Sequence, residues 1–372
     1  MKVGLTVLLI CASKGCSKLV ATAFLVLFCS SLEAASDEEW KKILGAAKKE
    51  GRLAISVHTG DTRRNAVMKF QENFPDIRLE VSTDPTAKYI ARVRQERRAG
   101  VYAIDVRVGG PRTNHELIPE GVYVPLRPAV VLPEVLEDGK WLGGFAGGFS
   151  DRGKKYSYSA IAERSGIIYL NRDFVPQAEF SKVDDILSPK WKGKICMRDP
   201  RGAGSGNTAL NILLRIRGEE FVRRLLLNQE VVLSEDNRQL TEWVVRGRYP
   251  IAAGLADTFI EQFKKEGLGL NIKELMSPEV LHLSLGGEAI ALVDGGPNPN
   301  AAKLFANWFL SREGQSILSS FVGSNTRRLD VTVVKPEVQV TQEQYRTLFN
   351  KDLQENEEYA NKAIEVARRI LK

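Results

Sequence analysis

Apolar and polar positions along the chain switch repeatedly between a helical period and short strand-like runs. "DEEWKKILGAAKKEG" reads as a capped amphipathic helix ended by Gly51. "LAISVHTG" follows as a strand running into a turn of small residues, and "DTRRNAVMKFQENFPD" as a helix closed at Pro75. "IRLEVSTD" is a second strand. "TAKYIARVRQERRAG" is a helix with Tyr89, Ile90 and Val93 on one stripe, and "AIDVRVGGP" is a third strand. Strands alternating with helices predict a parallel sheet covered by helices.

The middle of the chain repeats the pattern. "SGIIYLNRD" and "GKICMRDP" read as strands around "KVDDILSPKWKG", a short helix closed by Pro189. A glycine-rich loop, "DPRGAGSGNT", then enters a long helix from Ala209 to Leu226. Strand and helix alternate again through "EVVLSED", "NRQLTEWVVRGR", "PIAAGLAD" and "TFIEQFKKEGLG". After this second α/β unit come a strand-like stretch and two helices in "LHLSLGGEAIALVDGGPNPNAAKLFANWFLSREGQSILSSF". A final amphipathic helix, "DLQENEEYANKAIEVARRILK", ends the chain. The 372 residues suffice for two lobes with real cores.

The first segment differs. Lys2, Lys14 and Lys18 precede an apolar run from Leu19 to Phe28, and small residues follow around Ala34 and Ala35. This is the pattern of an export signal over residues 1–35, and its apolar run is short for a bilayer span. Cleavage there removes Cys11, Cys16 and Cys29, so Cys196 is left alone and no internal disulfide is available. A periplasmic location is expected. The net charge of +7 does not indicate nucleic acid, because the densest basic cluster, "RVRQERRAG", lies on the polar side of an amphipathic helix. It is mildly consistent with an anionic small ligand.

Motifs that carry catalysis are scarce. The loop "GAGSGNT" has no lysine where a phosphate-binding P-loop requires one. Gly202, Gly204 and Gly206 also lack dinucleotide-fingerprint spacing. His58, His115 and His282 show no metal-ligand spacing, Cys196 lies in a strand, and Asp184–Asp185 suit a helix cap. No cofactor or metal is expected. Taken alone, the loop is a self-capped helix start, with Ser205, Asn207 and Thr208 at its unpaired N–H groups. Similar strand-to-helix turns recur at "VHTGDT", "VGGPRT", "SEDNRQ" and "LADT". Ligands of parallel α/β sheets bind beyond the carboxyl ends of the strands, and two lobes that face each other there enclose a cleft.

The order of "LAISVHTG", "SGIIYLNRDFVP", "DDILSPKWKGKICMRDP", "SGNTA", "VVRGRYPIAAGLAD" and "NPNAAKLFANWFLSREGQSIL" resembles the periplasmic solute-binding proteins of ABC importers, in the type-2 class and its ferric-iron-related branch. The resemblance covers nearly the whole chain after the export signal. It implies an α/β fold of two lobes, each a helix-flanked and mostly parallel sheet, with a ligand cleft between them. The first lobe is expected over 36–162 with a return over 286–328, the second over 163–285, and a helical tail over 329–372. It also implies a monomer without enzymatic activity that docks on a membrane permease.

Iron-binding relatives use adjacent tyrosines just after the strand that corresponds to "IAAGLAD". The matching positions here hold Thr258 and Phe259. A small anionic or polar organic solute is therefore expected, with ferric iron as the alternative. An exported enzyme on the same fold would need a nucleophile or an acid–base pair, and none stands out. The residues expected at the ligand are His58, Thr59, Gly60, Arg112, Ser205, Gly206, Asn207, Thr208, Arg238, Asp257 and Thr258. Arg112 and Arg238 enter because a guanidinium fork matches carboxylate and phosphate oxygens.

Overall fold

The computed structural model describes residues 37–372, so the expected export signal lies outside the described residues. Two lobes are each built on their own sheet. In the first, the strands run in the order Arg78–Thr83, Arg52–Val57, Val106–Gly109, Ala289–Val293 and Tyr123–Val124, with Tyr158–Ser159 also paired to Ala289–Val293. The first three are parallel, as the alternating pattern requires. Ala289–Val293 runs antiparallel because the chain re-enters this sheet from the other lobe.

The helices that cover this sheet follow the apolar stripes. Tyr89, Ile90 and Val93 of the Thr86–Arg98 helix are buried, as the spacing predicts. The arginines on its other side are held in ion pairs as well as solvated. Arg94 pairs with Glu116 and Glu120, and Arg92 with Asp84. The returning helices Pro299–Leu310 and Arg312–Val322 bring Phe305 and Trp308 against Phe70, with ring centroids 5.3 and 5.4 Å apart.

The second sheet runs Ile272–Glu274, Ile168–Asn171, Ile251–Ala253, Ile195–Arg198, Val232–Ser234, the last three parallel and Ile168–Asn171 antiparallel to both its neighbours, so both sheets are mixed rather than mostly parallel as expected. Cys196 is fully buried in it, and burial pushes its thiol up to about 12, which leaves it an inert core residue. The segment "KVDDILSPKWKG" forms two 3₁₀ turns, Val183–Leu187 and Pro189–Trp191, in place of one short helix. Asp185 accepts the backbone N–H groups of Ser181 and Lys182, and Asp184 pairs with Arg217. The long helix starts at Ser205, four residues before the expected Ala209.

Two antiparallel crossings join the lobes, Glu163–Ser165 and His282–Ser284. A third strand, Phe349–Asn350, pairs in parallel with His282–Ser284, and it comes from the tail. The tail thus begins on the first lobe, where the Tyr345 hydroxyl donates to the Gly147 carbonyl 2.8 Å away. It completes the hinge sheet and then lays the Glu357–Ile370 helix on the second lobe. Ala363, Val366, Ala367 and Ile370 are buried there with Leu210 and Leu213 of the long helix. Full burial of an aliphatic side chain contributes about 1.5–3 kcal/mol, so this helix is part of the second core.

Candidate functional site

A cavity of about 1170 Å³ lies between the lobes. Its upper wall comes from the strand ends of the first lobe. The Arg52–Val57 strand delivers His58, whose backbone N–H donates to the Val108 carbonyl at 3.0 Å. Burial, followed by the nearby Arg63 guanidinium, holds the His58 imidazole below its ordinary pKa. Pro111 opens the Pro111–Leu117 helix, and Arg112 follows it. Arg112 is half-buried, lines the cavity, and has no hydrogen-bond or ion-pair partner among the described residues. Beside it Thr113 and Thr86 pair through their hydroxyls at 3.1 Å.

The opposite wall is the start of the Ser205–Arg223 helix with the turn after Ile251–Ala253. Ser205 and Gly206 are wedged between those elements. A Cβ on Gly206 would sit 2.0 Å from the Arg198 carbonyl oxygen, so only glycine fits. Gly254 has φ of 70°, and a Cβ there would meet the Ser205 carbonyl at 2.5 Å. Ser205 Oγ donates to the Gly254 carbonyl, 2.5 Å away.

The expected ligand residues therefore divide. His58, Arg112, Ser205, Asn207 and Thr208 line the cavity. Within that set, Ser205 is committed to Gly254, and Asn207 Nδ2 donates to the tail carbonyl of Ala360 at 2.9 Å. Asn207 is only 2% exposed. Gly206 supplies a close approach between backbones. Thr59 and Gly60 lie just outside the lining, where the Thr59 carbonyl accepts from Arg63 Nη1 at 3.2 Å. Arg238 is also outside it, with its guanidinium over the Phe263 ring 5.5 Å from the centroid. Asp257 and Thr258 open the Asp257–Lys265 helix, and their side chains lie outside the described set.

Several lining residues were not anticipated from the sequence. Tyr169 comes from the second sheet, Asn211 from one turn into the long helix, and His282 and Ser284 from the hinge. Lys335, Lys351 and Asp352 come from the tail. The alternation in "LHLSL" carried a usable signal. Leu283 and Leu285 enter an apolar cluster with Ala162 and Val340, so His282 and Ser284 point to the other face. Among the described residues no three His, Cys, Asp or Glu side chains are grouped to hold a metal ion.

Two lobes with a cleft at their strand ends and a two-strand crossing behind it have the geometry of a binding protein. Comparisons with known proteins agree. A family profile described as bacterial extracellular solute-binding protein matches residues 56–316, and the chain belongs to that family. One relative, an uncharacterized protein of Haemophilus influenzae, is 30% identical over 138 residues. That match spans 36% of this chain and 38% of the relative's own length.

Solved structures resemble the fold at low identity. Iron-bound HitA from Pseudomonas aeruginosa is 16% identical with a TM-score of 0.63, over 86% of this chain and 99% of its own. The ferric binding protein from Campylobacter jejuni is 18% identical with a TM-score of 0.62, over 86% and 99%. The periplasmic binding protein AfuA from Actinobacillus pleuropneumoniae, with fructose-6-phosphate bound, is 18% identical with a TM-score of 0.55, over 86% and 96%. The fold is thus the two-lobed periplasmic-binding-protein fold that the sequence resembles.

Proposed function

We propose that this protein is the periplasmic capture component of an ABC importer, and that it holds a small anionic organic solute in the interlobe cleft and delivers it to a membrane permease as a monomer. The observation that carries the anionic preference is Arg112, a half-buried cation on the cleft wall without a partner among the described residues. A guanidinium so placed gains a charge-assisted bond when a carboxylate or phosphate enters. The Thr86 and Thr113 hydroxyls beside it supply further polar contacts. His58 and Thr208 line the same cleft and are assigned secondary contacts with the solute.

The test is a thermal-shift screen of small carboxylates and phosphates on the purified protein. A ligand that binds only the folded state raises the melting temperature. Any hit is then titrated against Arg112→Ala. A charge-assisted hydrogen bond contributes about 1.5–3 kcal/mol, so the variant should bind about 10- to 100-fold more weakly with an unchanged melting temperature when empty. An unchanged affinity removes Arg112 from the site and the anionic class with it.

A further inference from the structure

The cleft has a floor whose chemistry differs from that of its walls. His282 is 3% exposed, lines the cavity, and leaves Nδ1 without a hydrogen-bond partner among the described residues. Asn211 is 4% exposed, lines the same cavity, and makes no side-chain hydrogen bond with any described residue. Native interiors rarely leave polar groups unpaired, because each costs about 1–3 kcal/mol.

Both residues lie at one place in the fold. His282 is the cross-strand partner of Phe349 in the hinge sheet. Arg215 of the long helix lies over the Phe349 ring at 3.9 Å, and Asn211 is one helical turn before Arg215. Ser284 points to the same face as His282. Two charged tail groups there, Lys351 and Asp352, pair with each other at 2.8 Å. Burial, ahead of the Lys351 charge, holds the His282 imidazole down to about 3, so it stays neutral at physiological pH. The floor therefore offers amide, imidazole and hydroxyl groups beside two carboxylates that already accept hydrogen bonds, Glu163 from the Asn325 backbone N–H at 2.8 Å and Glu274 from Ser165 Oγ at 3.0 Å, in contrast with the cationic wall at Arg112.

We propose that this floor, built by Asn211, His282 and Ser284 and closed by tail residues Lys351 and Asp352, is a subsite for the uncharged, hydroxyl-bearing part of the solute. The solute is then an acid of a polyol or sugar, with its anionic end at Arg112 and its hydroxyls at the hinge. Hydroxyls both donate and accept, which matches an amide and a neutral imidazole, whereas a plain alkyl chain would leave them unpaired. Lys351 and Asp352 lie beyond residues 56–316 that match the family, so part of this selectivity belongs to the tail. The subsite rests on the reading of the cleft as the solute site.

The experiment compares matched pairs of probes by thermal shift and calorimetry: gluconate against hexanoate, glycerol 3-phosphate against propyl phosphate, and glucose 6-phosphate against hexyl phosphate. At least one hydroxylated member should bind ten-fold or more tightly than its deoxy partner. Asn211→Leu should erase that preference without weakening the deoxy anion. Ser284→Ala is a milder second variant that should reduce the same preference if Asn211→Leu does not fold. Binding of deoxy anions equal to that of their hydroxylated partners, or a preference that survives both variants, overturns the floor subsite. If those anions still depend on Arg112, the anionic cleft stands without the floor. If no probe of either kind binds, both proposals fall.

Discussion

His282 couples the hinge to acidity in a way that can be measured. Its imidazole is held down to about 3 in the fold, against 6.5 in an exposed chain. A depressed pKa contributes stability that is fully present above pH 6.5 and is lost as the pH falls, because the unfolded chain takes up a proton that the folded one refuses. Each pH unit below 6.5 then costs about 1.4 kcal/mol until the folded imidazole itself titrates. Between pH 7 and pH 4.5 the loss is about 3 kcal/mol. The charged neighbours act in opposite senses, Lys351 lowering and Asp352 raising the imidazole pKa, and burial is the dominant cause. The assay is urea unfolding of wild type and His282→Asn at pH 7 and at pH 4.5. The variant is expected to start less stable and to lose about 3 kcal/mol less over that interval. Parallel losses in the two proteins would refute the reasoning, since burial of a neutral histidine would then have no energetic consequence.

Three further outcomes are expected. Gly206→Ala should lower stability by about 3 kcal/mol in chemical denaturation, because its Cβ would press on the Arg198 carbonyl at 2.0 Å. Val366→Ala in the tail helix should cost about 2 kcal/mol, read in the same way, because Val366 is buried in the second core. Titration with ferric citrate should give no visible charge-transfer band, since the positions that match the iron-binding tyrosine pair hold Thr258 and Phe259. Coloured, stoichiometric binding would restore iron as the cargo.

The helices with a clear stripe, such as Thr86–Arg98, and the parallel strands of both lobes were legible because burial imposes a period on the residues that experience it. Helix-start residues were legible as a place in the fold but not as contacts. Ser205 and Asn207 have the right chemistry to face a ligand, yet their partners, Gly254 and Ala360, lie 49 and 153 residues away. Nothing local to "SGNTA" announces those carbonyls. Arg238 likewise looked available until the fold set Phe263 beneath it. The Phe349–Asn350 strand escaped notice because two residues carry no period, and its pairing is defined wholly by the crossing strand beside it. The floor was hidden for the same reason, since it assembles from three parts of the chain that meet only at the hinge.

The tail strand has a consequence for how the molecule is made. Synthesis runs from the N-terminus, so both lobes have their main sheet strands before Phe349–Asn350 exists. The Phe349–Asn350 stretch, made after both main sheets, completes the crossing sheet, and the residues after it supply Lys351 and Asp352 to the cleft. A chain that ends just before Phe349 would keep both main sheets but have an unfinished joint, a cleft without its tail groups and a second lobe without its Glu357–Ile370 helix. In order of synthesis, the crossing sheet and the tail side of the cleft are thus completed only after both main sheets exist.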